Sequence, residues 1–134
     1  MSELDDFRSG VLARQIDADK ALIRGDAEPR IALWSENEPL SLMSAGGEWR
    51  FGYSEICGFF RQLAARFSDG CDFTFDLQVA EIGGDLAYSV GFERYRVAVA
   101  GAPLAAVELR ATHAYRREEG GWKIVHRHGD AAAR

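Results

Sequence analysis

The densest group of ionisable and hydrogen-bonding side chains lies near the end of the chain, in R-A-T-H-A-Y-R-R-E-E-G-G-W-K-I-V-H-R-H-G-D, residues 110–130. Read with period 2, the last stretch puts Trp122, Ile124, His126, His128 and Asp130 on one face and Lys123, Val125 and Arg127 on the other. On the run before it, Glu108, Arg110, Thr112 and Ala114 share a face. A three-residue loop at 118–120 sets Arg110 opposite His128 and Thr112 opposite His126. A two-residue turn at Glu119 and Gly120 instead pairs His113 with His126 and Tyr115 with Ile124, because parity decides the face. Both registers are open at this level.

If this cluster lines a cavity, its chemistry is proton transfer. His128 is then a general base whose tautomer Asp130 fixes, and Arg110 stabilises an anionic substrate or a developing oxyanion, with Thr112 and His126 beside the substrate. On the outer face of a sheet the same groups neutralise one another as cross-strand ion pairs at a seam between subunits. His113, His126 and His128 lack close metal-ligand spacing and have Arg127 among them, so no metal is expected, and no motif implies a cofactor.

These residues need a scaffold. From Glu3 to Arg24, Leu4, Phe7, Val11, Ala18 and Leu22 share one helical face, widened by Leu12, Ile16 and Ile23. Gly25 ends this helix, and Asp26 caps a short second one with Pro29 in its first turn. L-S-L-M-S and W-R-F, joined by A-G-G-E, read as a small ribbon. Ser54 caps a third helix carrying Ile56, Phe59, Phe60, Leu63 and Phe67, stopped by S-D-G. The period then switches to 2 at Phe73, Phe75, Leu77 and Val79, and three more extended runs follow, at about 86–99, 104–117 and 122–130. Helices first and a meander afterwards make an α+β domain with helices on one face of an antiparallel sheet, curved where Gly91 interrupts a strand. Phe73, Phe75 and Leu77, with Tyr88, Val90 and Phe92 of the next strand, form an apolar lining if they face inward, and Trp34 and Trp49 read as core.

The composition narrows the function. The 134 residues suit one domain spanning 1–134, and 16 Lys and Arg against 21 Asp and Glu give a net charge of −5. That balance disfavours nucleic acid and anionic membrane surfaces as partners. M-S-E-L-D-D-F-R lacks a basic stretch followed by an apolar run, which points to a cytoplasmic protein, and Cys57 and Cys71 read as reduced thiols packed as small hydrophobes.

The 110–130 segment resembles the closing hairpin of the SnoaL-like (polyketide-cyclase-like) branch of the nuclear-transport-factor-2-like superfamily, related to ketosteroid isomerases. W-K-I-V-H-R-H at 122–128, G-Y at 52–53 and G-D-L-A-Y at 84–88 carry the likeness, which runs over nearly the whole chain. The same closing run is similar to the association domain of the calmodulin-dependent kinase, which assembles subunits. The resemblance implies a cone-shaped half-barrel, with about three N-terminal helices packed on a curved antiparallel sheet. It also implies a pocket between sheet and helices, a small hydrophobic or anionic ligand, and homodimers through the outer face of the sheet. Tyr53 stands where related pockets place a polar residue. No carboxylate near the end of the first helical region clearly matches the base of the steroid-isomerase members. The resemblance thus implies either a cofactor-free isomerase, cyclase, dehydratase or hydrolase, or a noncatalytic ligand-binding or dimerisation module.

Overall fold

A computed structural model describes residues 2–132. The first helix, α1, starts at a reciprocal cap: the Ser2 hydroxyl accepts from the Asp5 amide at 3.1 Å while the Asp5 carboxylate accepts from the Ser2 amide at 3.3 Å. It runs through Glu3–Asp6, a π-helical stretch Phe7–Leu12, and Ala13–Leu22. Its buried side chains are Phe7, Val11, Leu12, Gln15, Ala18, Asp19 and Leu22, so the apolar stripe holds two polar residues one turn apart. Gly25, at φ 99°, turns the chain into α2 (Glu28–Ile31), where the Asp26 carboxylate accepts from the Glu28 amide.

Strands β1 (Ser41–Met43) and β2 (Trp49–Phe51) form the expected ribbon. Helix α3 (Tyr53–Arg66) begins one residue before Ser54, and the Glu38 carboxylate rather than a hydroxyl takes its first free amide, that of Tyr53. Four long strands follow: β3 (Phe67–Gly83), β4 (Leu86–Val99), β5 (Ala105–Glu118) and β6 (Gly121–Ala131). The sheet order is β2-β1-β6-β5-β4-β3, antiparallel at every pairing except β1 with β6, which is parallel. The architecture is an α+β cone: a helical layer over a curved, unclosed six-stranded sheet.

S-D-G at 68–70 does not stop α3; Phe67 already opens β3, and Asp69 and Asp72, at φ 58° and 59°, make the register shifts that bend its start. There the Gly70 amide donates to the Ile23 carbonyl and ties the strand to the end of α1. On β4 the buried phase is Ala87, Ser89, Gly91, Glu93 and Val97, so Tyr88, Val90 and Phe92 lie on the outer face and do not line the interior. Gly91 in that phase makes room for the Phe75 ring of β3.

Between the layers, Phe7, Leu12, Trp34, Leu42, Ile56, Phe60, Tyr115 and Ile124 form the main core, with the Phe7 ring edge-on to Tyr115 at 4.9 Å. Trp49 is 59% exposed, its ring tilted against that of Phe51 on the ribbon, outside the core. Cys57 is buried, Cys71 is half-buried, and both are free thiols. Among the described residues no helix is long and apolar enough to cross a membrane.

A Cβ at Gly91 would stand 2.6 Å from the Phe75 ring and 2.7 Å from the Asp76 carbonyl oxygen. Gly91→Ala is therefore expected to lower stability by roughly 1–3 kcal/mol in urea unfolding. An unchanged midpoint would mean that β3 and β4 are not held this closely.

Candidate functional site

The β5–β6 hairpin decides which polar residues face the interior. Its turn is the two-residue one at Glu119 and Gly120, since Glu118 pairs with Gly121 and Tyr115 with Ile124. At Val125 an extra residue enters β6, and beyond it Ala114 pairs with His126, His113 with Arg127, Thr112 with His128 and Arg110 with Asp130. Neither simple register holds along the whole hairpin. The bulge moves His126, His128 and Asp130 to the face opposite Ile124 and turns Arg127 inward.

Arg110, Thr112, His128 and Asp130 are thus brought together, on the outer face. Arg110 donates from Nε and Nη2 to the two Asp130 oxygens at 2.7 and 2.8 Å, with its side chain 63% exposed. Asp130 is held below the ordinary carboxylate range by its Arg110 hydrogen bond, and His128 Nε2 lies 3.7 Å from Asp130 Oδ2. His126 Nδ1 shares a 2.7 Å hydrogen bond with the Ser41 hydroxyl, and burial lowers its pKa. Tyr53 is half-buried at the start of α3, its hydroxyl pushed up by burial and by Cys57. None of these residues lines the cavity described next.

That cavity, of about 380 Å³, lies between the inner face of the sheet and the helices. Leu22, Phe59, Phe60, Leu63, Phe73 and Leu109 make much of its wall; Ser44, Glu48 and Arg66 also border it. Its polar groups on the inner strands and α1 are Asp19, Glu93, Tyr95 and Arg127, with Arg30 behind Asp19.

Arg127 donates from Nη1 and Nη2 to the Glu93 oxygens at 2.7 and 2.8 Å, an end-on bidentate pair. Arg30, wholly buried, places Nη2 2.6 Å from His113 Nε2, and Arg127 Nη1 stands 3.1 Å from the same atom. That nitrogen keeps its lone pair for the guanidiniums, so the ring is neutral; burial first, then Arg30 and Arg127, put its pKa well below the ordinary histidine value. Gln15 lies 3.5 Å from His113 Nδ1 and accepts from the Tyr115 hydroxyl at 2.5 Å, which in turn meets Ser89 at 3.0 Å. The network reaches from α1 across β5 to β4.

Two carboxylates in this network part company. Burial drives both upward, yet Glu93 ends below its ordinary value because Arg127 neutralises it and donates to both oxygens. Asp19 is pushed up to about 6 by burial, with Arg30 opposing and Glu93 adding to the rise. Arg30 Nε is 3.3 Å from Asp19 Oδ1 but is not aligned to hydrogen-bond it. A carboxylate beside a cation yet without donated hydrogens is the weaker acid of the two.

Asp19, Glu93, Arg30 and Arg127 were not singled out from the sequence. The available signal was polar residues at helical spacing inside the α1 stripe, Gln15 and Asp19, and a carboxylate in the small-residue phase of β4. Among the described residues no group of three or more His, Cys, Asp or Glu is arranged to hold a metal ion.

A family profile for the SnoaL-like domain matches residues 16–133. No curated protein matches the chain. Among solved structures, a proposed dehydratase of the NTF2-like family from Streptomyces avermitilis is 23% identical, with 97% of this chain and 98% of that one covered and a TM-score of 0.79. A ketosteroid isomerase-like protein from Erwinia carotovora atroseptica is 14% identical over 97% and 99% of the two chains, with a TM-score of 0.78. A proposed calcium/calmodulin-dependent protein kinase II association domain from Xanthomonas campestris is 18% identical over 91% and 86%, at a TM-score of 0.69. At these identities the likeness is one of fold.

The buried pair yields a stability test. Arg127→Leu strands the Glu93 carboxylate and is expected to cost about 3–5 kcal/mol, whereas adding Glu93→Met to it should recover most of that loss. Urea unfolding of the two variants checks this; additive losses would mean the two charges are not coupled.

Proposed function

We propose that this chain, which belongs to the SnoaL-like family, binds a largely apolar small molecule in its cone and moves a proton on it without a cofactor, Asp19 acting as the base. The observation that carries this reading is a single one: a buried carboxylate, raised to about 6, in the wall of a largely apolar cavity. A base whose pKa lies near working pH combines adequate basicity with a substantial ionised fraction. Arg30 stands behind the carboxylate as a counter-charge, His113 holds Arg30, and the Glu93–Arg127 pair adds no net charge. The reaction class is isomerisation, cyclisation, dehydration or hydrolysis.

A second role is proposed for the outer group of Arg110, Thr112, His126, His128 and Asp130: contact between subunits of a homodimer. An uncovered sheet face bearing a bidentate ion pair supports it, as does a fold shared with an association domain. Sedimentation velocity is expected to show a dimer that Arg110→Glu weakens; a concentration-independent monomer would sink this second role.

The proton-transfer reading is tested with a mixed library of apolar ring ketones, alcohols, epoxides and esters incubated in deuterated water. Mass spectrometry should find a compound that gains carbon-bound deuterium or changes its water content with the wild-type chain and not with Asp19→Asn. Conversion that survives in Asp19→Asn would overturn the assignment. Because the base works ionised, kcat/KM should rise with pH through about 6 and then level. A profile that falls through that region would assign Asp19 the role of acid instead.

A further inference from the structure

Hydrogen-bonding capacity at the polar end of the cavity is unevenly used. Both Glu93 oxygens accept from Arg127, whose terminal nitrogens are thereby engaged, Nη1 with His113 as well. Asp19 accepts no hydrogen bond at its carboxylate from the described residues; its nearest cation, Arg30, meets it at 3.3 Å without donor alignment. Yet its side chain keeps 9% exposure and is part of the cavity wall. A largely buried carboxylate given no donor by the protein is costly, and a group that supplies one recovers part of that cost.

Charge narrows the donor. Asp19 and Glu93 balance Arg30 and Arg127, and His113 is neutral, so a cationic donor would add an uncompensated charge beside two guanidiniums. An ionised acid brings no donor and a second negative charge to Asp19. What fits is an uncharged O–H on a hydrocarbon body, with the body against Leu22, Phe59, Phe60 and Phe73. We infer that the ligand of this cavity is a hydroxylated, otherwise apolar ring compound whose hydroxyl donates to Asp19. This rests on the reading of the cavity given above and specifies its substrate class. It also sets the direction of the first step: the hydroxyl hydrogen lies against the carboxylate that would receive it, and the oxygen keeps the bonding pair.

The chain at neutral pH, titrated calorimetrically with four probes of similar size, tests this: naphthalene, β-naphthol, its methyl ether and β-naphthoate. The naphthol should bind about tenfold to a hundredfold more tightly than naphthalene or the methyl ether, with the naphthoate no better than the hydrocarbon. In Asp19→Asn, checked for native circular dichroism, the advantage of the naphthol should shrink to a few-fold at most. Equal affinity for naphthol and ether, tighter binding of the naphthoate, or no binding of any probe would overturn the inference. The titration reads binding and not turnover. A hydroxyl preference without Asp19-dependent conversion in the deuterated-water assay defeats the proton-transfer reading alone, and such conversion without that preference defeats this inference alone.

Discussion

A guanidinium and a carboxylate withdrawn from water as a pair, Arg127 of β6 with Glu93 of β4, constrain the whole interior. Neither can be buried alone without a penalty of several kcal/mol, so the two strands that flank β5 must keep these side chains on the same face at bonding distance. His113, on the strand between, accepts from Arg127 and Arg30 together, which carries the constraint to α2. Arg30 then meets Asp19 on α1. A pair of this kind adds little net stability; it fixes where charges sit. Geometry, more than strength, is what the cavity takes from it.

The contrast between Asp19 and Glu93 shows how one fold supplies two carboxylates of opposite character within one network. Glu93 has two donated hydrogens and a cation, and stays ionised. Asp19 has the cation but not the hydrogens, and its proton is easily returned. Burial is common to both, so the number and alignment of donors, not depth, sets the two carboxylates apart here.

Much of this fold was legible because its signals are local and periodic. The 3.6 period of α1 and α3, the turn at A-G-G-E and the switch to period 2 after Phe73 each report on a segment by itself. What was not legible is pairwise. The extra residue at Val125 leaves no mark in composition, since V-H-R-H alternates as well with it as without it, yet it reverses the facing of everything beyond it. The parallel pairing of β1 with β6 joins segments more than eighty residues apart. S-D-G at 68–70 carries the residue types of a turn, and served instead as the first of two register shifts, in which Asp69 and then Asp72 take left-handed conformations. The interior site was hidden for a related reason: Asp19 and Glu93 interrupt apolar patterns, and pattern reading treats an interruption as noise.

The Val125 bulge has a meaning for descent as well as for packing. β6 carries two sets of polar side chains on opposite faces, His126, His128 and Asp130 outside and Arg127 within, and a length difference of one residue selects between them. Loss of a single codon at this point in a relative would exchange the sets in one step, with every amino acid retained. Relatives that differ here by an insertion or deletion should therefore not be compared position by position. Histidines aligned between two such chains would occupy opposite sides of the same sheet, one facing the interior and the other facing the solvent.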